Sequence, residues 1–117
     1  MTRAGQIVLF TFPNTDLSQG KLRPALVVGA LPGAFDDWLI CMISTQIRHF
    51  YEGFDDQIQT GDADFVSSGL KRSSIIRVGR LAVVDSNVLV GWVGEISPNR
   101  LIRIRQHLAN WLIEQTP

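Results

Sequence analysis

One cysteine, Cys41, stands alone in 117 residues. A single thiol excludes an internal disulfide framework and any multi-cysteine zinc site. The two histidines, His49 and His107, are too few and too isolated for a His-rich metal cage. Neither sign of charge is in excess: 11 lysines and arginines balance 11 aspartates and glutamates. Net charge therefore points to no polyanionic partner. No run of about 18 apolar residues occurs, so no membrane span is expected. The opening residues, Met1-Thr2-Arg3-Ala4-Gly5-Gln6, lack the apolar centre of a signal peptide. A reducing, cytoplasmic setting is the expectation. Internal repeats, low-complexity tracts and linkers are missing as well. So are a phosphate-binding glycine loop, a nucleophile elbow and a metal motif.

What is present reads as one folded unit, residues 1–117. The mass is 13.0 kDa, the apolar fraction 45% and the charged fraction 19%. A chain of this length buries roughly two-thirds of its unfolded surface and needs no metal or disulfide staple. Ile7–Phe12 is β-branched and aromatic and ends at Pro13-Asn14, which predicts a strand. Thr15–Leu22 is polar, contains Gly20 and reads as a loop. Pro24–Val28 predicts a buried strand with its proline near the start. Trp38–Ile43 is apolar on both faces, as a central strand is. Asp55–Thr60 is a weak strand. Ser74–Val78 and Arg80–Val84 are strands broken at Gly79, a bulge candidate. Val88–Ile96 is another, curved at Gly91 and Gly94. Ser97 is an N-cap candidate with Pro98 at the first helical position. Leu101, Ile104, Leu108, Trp111 and Leu112 then recur at helical spacing. Short strands followed by one late helix predict an α+β fold, a small curled barrel-like sheet with a C-terminal helix packed on it. With no helix between strands, the sheet is expected to be antiparallel.

Charge is balanced in total but not along the chain. Glu52, Asp55, Asp56, Asp62 and Asp64 form an acidic stretch without a base; Lys71, Arg72, Arg77 and Arg80 form a basic stretch without an acid. An anionic ligand responds to such a local field. The plain alternative is acids along a loop and bases on a solvated strand surface. Arg23, directly before Pro24 at a strand mouth, is a candidate phosphate fork; the alternative is a surface arginine closing a turn. Ser44-Thr45-Gln46 ends the most apolar strand, where binding groups are often built, or simply makes a turn. Arg77 interrupts Ile75-Ile76-Arg77-Val78, and alternation places it beside the packed face. His49, next to Arg48, has the chemistry to move a proton. His107, with Arg100, Arg103 and Asn110, reads as the wet stripe of the helix. Cys41 reads as a small core residue, and Trp38, Trp92 and Trp111 mostly as core.

A set of segments carries the reading further. Gly5-Gln6-Ile7-Val8-Leu9-Phe10, Gly20-Lys21-Leu22-Arg23-Pro24-Ala25-Leu26-Val27-Val28 and Ile43-Ser44-Thr45-Gln46-Ile47 come first. Gly69-Leu70-Lys71-Arg72-Ser73-Ser74-Ile75-Ile76-Arg77, Val84-Asp85 and Val93-Gly94-Glu95-Ile96-Ser97-Pro98 follow. In this order and spacing, from Gly5 to about Leu112, they resemble the PemK/MazF family of toxin–antitoxin ribonucleases. The resemblance implies an SH3-like barrel, a homodimer and a cognate antitoxin as partner. It implies cutting of single-stranded RNA, usually mRNA, at short motifs, with no metal and no cofactor. The family's Arg-Pro arginine falls on Arg23, its Ser/Thr on Ser44, and a further strand arginine on Arg77. These three are the expected catalytic residues. Lys21, Thr45, Gln46, Arg48, His49, Lys71 and Arg72 are the expected RNA-binding residues.

Metal-free RNA cleavage sends a 2′-hydroxyl onto the adjacent phosphate, leaving a cyclic phosphate and a free 5′-hydroxyl. Charge grows on the phosphoryl oxygens, and a fixed cation there is worth a few kcal/mol. Arg23 and Arg77 suit that role, since a guanidinium is a poor proton donor. Ser44 would hold the phosphate, with Thr45 and Gln46 positioning it or a base edge. Two departures from the family pattern leave the base unassigned. Gly79-Arg80 stands where many members carry an acid followed by glutamine. Asp16-Leu17-Ser18-Gln19 stands where many carry His-Glu-Gln. Asp16 and His49 are the candidates. Two rival readings follow: a non-catalytic member that binds RNA or a protein, and a gyrase poison working on DNA through its terminal helix.

Overall fold

The computed structural model describes residues 1–117. Six strands form one sheet: β1 (Gln6–Thr11), β2 (Leu22–Ala30), β3 (Asp37–Ser44), β4 (Asp56–Ile58), β5 (Ser74–Asp85) and β6 (Val90–Glu95). Two helices accompany them, α1 (Phe65–Ser68) and α2 (Pro98–Glu114). The strand order is β4-β5-β3-β2-β1-β6, and each neighbouring pair is antiparallel. β3 is paired on both sides, which is why Ile40, Cys41, Met42 and Ile43 are all buried.

Alternation along the strands sorts the apolar residues into two layers. Ile7, Leu26, Val28, Cys41, Ile43, Ile76 and Val78 line one face and pack against Ile104 and Leu108 of α2. Val8, Ala25, Val27, Ile40 and Met42, with Phe12, line the other face, and no helix residue joins that cluster. Helix α2 begins as the sequence predicts. The Ser97 side chain accepts from the Arg100 amide, and Pro98 occupies the first turn.

The small-barrel expectation is met by a contact between the sheet's two edges. The chain leaving edge strand β4 forms α1, and α1 docks on the opposite edge strand β6. Ser67 Oγ donates to the Glu95 carbonyl at 3.2 Å. Only glycine permits the approach. A Cβ on Gly94 would lie 2.3 Å from the Ser67 carbonyl oxygen, and one on Gly69 (φ +72°) 2.1 Å from that of Val93. Both partners are backbone and cannot swing aside. Gly94→Ala is therefore expected to destabilise the fold by about 1–3 kcal/mol, read as a lower urea midpoint at unchanged slope. Gly61→Ala, with open space around it and an ordinary backbone φ, is the control.

Several sequence expectations are corrected. Ser74–Asp85 is one strand, not two; Gly79 marks a bulge inside it. Pairing jumps from Cys41↔Leu81 to Met42↔Arg77, so Val78, Gly79 and Arg80 have no partners across β3. Ser86–Val88 is a 3-10 turn, so the last strand starts at Val90. Helix α1 has no counterpart among the expected elements, because four residues carry no periodic signal. Trp92 is 63% exposed and Trp111 40%, so neither is core.

The largest correction concerns the acidic stretch and the helix. Helical spacing puts Arg100 on a wet stripe, yet Arg100 is buried. Its Nη1 donates to Asp56 at 2.7 Å and to the Gln57 carbonyl at 2.9 Å. Its Nη2 reaches Asp62 and its Nε reaches Asp64. Arg103 adds a second fork onto Asp56. His107 Nδ1 lies 3.0 Å from the Phe54 carbonyl oxygen. Three of the acids thus hold the terminal helix to the β4–α1 segment.

Candidate active site

The register of three adjacent strands brings the expected catalytic residues to one face. Arg23 is two residues from Ala25, which pairs with Met42. Met42 pairs with Arg77, and Ser44 lies two residues beyond Met42. Residues opposite each other, or two apart on one strand, share a face. Arg23, Ser44 and Arg77 therefore lie on the face that α2 leaves free. Strands about 4.8 Å apart with about 3.3 Å per residue put the Arg23 and Arg77 Cα atoms about 12 Å apart. That separation is within the combined reach of two arginine side chains.

Ser44 is buried at the strand end, where its Oγ accepts from the Gln46 amide at 3.0 Å. That bond fixes the hydroxyl and leaves its proton to donate. A 3-10 turn at Ile47–His49 follows, closed by the His49 amide donating to the Gln46 carbonyl at 3.0 Å. The turn delivers His49 to a cleft of about 330 Å³ shared with Tyr51, Phe54, Asp55, Arg77, Gly79 and Arg80. The β5 bulge brings Arg80 there, and Gly79 leaves room for the Phe54 ring, which a Cβ would meet at 3.0 Å. Asp55 is committed to the scaffold. One of its oxygens accepts from the Val78 amide and the other from the Tyr51 amide, pinning bulge and loop together.

Two observations mark this cleft. The only buried side-chain nitrogen or oxygen atoms without a hydrogen-bond partner in the whole chain are His49 Nδ1 and Arg77 Nε, and both residues line it. Buried polar groups are rarely left unpaired without a functional reason. The field is also positive. Burial, then the charges of Arg77, Arg48, Arg80 and Arg23, lower the pKa of His49 below its usual 6.5. A larger depression of about 890 Å³ between Arg3, Asp36, Trp38, Ser86 and Trp92 has one cationic side chain and no orphaned polar atom. Cys41 offers no nucleophile: burial and then the Asp55 charge push its thiol up to about 12.

The family model for PemK-like, MazF-like toxins of type II toxin–antitoxin systems matches residues 3–112. The chain belongs to that family. Solved structures of similar fold agree. A MazE–MazF complex from Deinococcus radiodurans shares 20% identity and a TM-score of 0.68, over 97% of each chain. An endoribonuclease in complex with its cognate antitoxin, from a Mycobacterial species, shares 15% identity and a TM-score of 0.62 over the full length of both. The Mycobacterium tuberculosis toxin MazF-mt6 shares 12% and 0.61, over 93% of this chain and 99% of that one. No curated protein matches the sequence. No helix of this PemK/MazF-like chain is long and apolar enough to cross a membrane.

Of the expected RNA-binding residues, Arg48 and His49 fall within this cationic cluster. Lys21, Thr45 and Gln46 are exposed beside Arg23 and Ser44. Lys71 and Arg72 lie on the exposed turn before β5 and do not line the cleft. Asp16 belongs to a different constellation. Its carboxylate accepts from the hydroxyl and the amide of Ser18, and these bonds lower its pKa. Arg80 and Tyr51 line the cleft although neither is among the expected site residues. The available signals for Arg80 are its place in the basic stretch and the glycine before it, which permits the bulge.

Proposed function

We propose that this PemK/MazF-like toxin is an endoribonuclease that cuts single-stranded RNA by attack of a 2′-hydroxyl on the adjacent phosphate. The observation that carries the reading is the pair of orphaned buried atoms, His49 Nδ1 and Arg77 Nε, in one cleft among arginines that form no ion pair. Asp55, the one carboxylate in the wall, is already engaged by two amides, and a phosphodiester supplies further negative charge and acceptor oxygens to the arginines. Arg23 and Arg77 stabilise the charge that grows on the phosphoryl oxygens. Ser44 donates to the phosphate from a fixed position, and Lys21, Thr45, Gln46 and Arg48 track the strand. The products are a cyclic phosphate and a free 5′-hydroxyl. Residues 1–117 act as one domain, working in the cytoplasm as a homodimer without a cofactor.

The natural partner is a cognate antitoxin, as in the Mycobacterial and Deinococcus complexes. An acidic antitoxin segment competing for the cationic cleft would block substrate by charge complementarity. One observation favours a second reading, a member that binds RNA without cutting it. The acid that many family members place on this strand is replaced by Gly79-Arg80, and Asp55, the cleft's one carboxylate, is tied to two amides.

The deciding experiment incubates purified protein with single-stranded RNA and EDTA and analyses the ends. New 2′,3′-cyclic phosphate ends are expected. RNA retained intact on the protein would support the binding-only reading. RNA ignored while gyrase stalls on DNA would overturn both.

A further inference from the structure

We infer that His49 is the general base of the reaction, taking the proton from the attacking 2′-hydroxyl; this rests on the ribonuclease reading above. The cleft offers few alternatives. The carboxylate of Asp55 already accepts two backbone amides. Arg77 and Arg80 carry no acceptor for a proton. Asp16 lies in another loop, occupied by Ser18. Tyr51 lines the cleft but is 72% exposed, its side chain held by no part of the wall. His49 alone combines an accessible basic form with a position in the wall.

The backbone holds that position. The turn between Gln46 and Phe50 closes on both sides of His49, with the Phe50 amide donating to the Ile47 carbonyl at 3.0 Å. Ser44, which would anchor the phosphate, lies five residues upstream on the same turn-bearing segment. No protein group holds the ring's Nδ1, so no internal partner locks its proton.

The charges facing the ring are Arg77 and Arg80 from β5, Arg23 from β2 and Arg48 from its own turn, with the Asp55 carboxylate in the same cleft wall. The cations keep the imidazole neutral before substrate arrives, and a neutral imidazole is an acceptor. A bound phosphodiester offsets part of that field and makes the ring more basic when a proton is to be taken. The step balances. The 2′-oxygen–hydrogen bond breaks and the proton passes to His49. The 2′-oxygen then bonds phosphorus. The bond from phosphorus to the 5′-oxygen breaks, and that oxygen takes a proton from water. His49 returns its proton to solvent.

The test measures single-turnover cleavage of an RNA oligonucleotide between about pH 5 and 8. Wild type, His49→Gln, and His49→Gly with and without added imidazole are compared. Wild type is expected to lose rate on acidification along a limb below the free-imidazole value. His49→Gln is expected to be about 10²–10⁴-fold slower and to lack that limb. Its affinity for the 2′-deoxy oligonucleotide, which cannot be cut, should stay within about threefold of wild type. Imidazole should restore part of the His49→Gly rate, which a structural role would not allow. A His49→Gln enzyme with wild-type rate and limb overturns the assignment while the nuclease reading stands. Binding lost in step with rate overturns it in favour of a phosphate contact. Wild type that cuts no RNA at any pH overturns the nuclease reading itself.

Discussion

Arg100→Leu is expected to lower the thermal midpoint by about 10–20 °C. The Arg100 and Asp64 side chains are 7% and 8% exposed, and Asp56 matches Arg100 at 7%. Removing the guanidinium leaves two carboxylates buried, with Asp56 keeping only Arg103 and Asp64 only the Ser97 amide. Breaking a buried pair from one side costs about 3–5 kcal/mol, because the remaining charge stays desolvated. Each kcal/mol moves the midpoint of a domain this size by about 3–5 °C. Arg100→Lys should recover little, since one ammonium cannot reproduce a fork onto Asp56, Asp62 and Asp64. Arg103→Ala, at a 48% exposed side chain, should cost about 1 kcal/mol or less.

The same network sets an acid limit. Burial raises the Asp64 pKa, but hydrogen bonds from Arg100 and the Ser97 amide, with the Arg100 charge, outweigh it and hold the carboxyl at about 2. Its pKa is thus depressed by folding. The stabilisation is present above pH 3.8, the ordinary value, and is lost as pH falls from about 4 towards about 2. In Arg100→Leu that loss should begin at higher pH. A variant with an unchanged midpoint and an unchanged acid transition would show that the network contributes nothing.

This network also explains what the sequence concealed. The strands were legible because each needs only a local pattern: alternation in β1 and β2, and a doubly apolar run in the central β3. The terminal helix was legible from Ser97-Pro98 and the spacing of Ile104 and Leu108. Arg100 was not, because its partners are 36 to 44 residues away and a helical wheel treats every arginine as wet. The site was half visible for the same reason. Arg23, Ser44 and Arg77 come together through strand register, which the resemblance supplies and composition does not. Arg80 enters only through a bulge, and no pattern on one strand announces which residues its neighbour leaves unpaired. The equal totals of charge hid the outcome most of all. Asp56, Asp62 and Asp64 are drawn to the helix, away from Arg23, Arg48, Arg77 and Arg80, so a neutral protein carries a cleft in which cations outnumber its one carboxylate, Asp55.

Arg77→Ala is expected to cut the rate of RNA cleavage by about 10²–10³-fold. Affinity for uncut RNA should fall far less. Arg77 has a buried Nε without a partner and shares the cleft with His49. Its charge is therefore placed to act on the reacting phosphate more than on the strand at large. Arg23→Ala should have a similar effect from the other side, and the double variant should lose much less than the product of the two, as groups acting on one centre do. Arg77→Lys should restore the charge but not the fork, and so recover only part of the rate. A second consequence separates a working arginine from a structural one. Arg77 is the foremost charge lowering the His49 pKa, so its removal should raise that pKa towards 6.5, visible in an NMR titration of the His49 ring. A His49 titration unmoved by Arg77→Ala would show that the two groups do not share a field. Unchanged cleavage in the same variant would remove Arg77 from the chemistry and leave Arg23 and Ser44 to bind the phosphate without it.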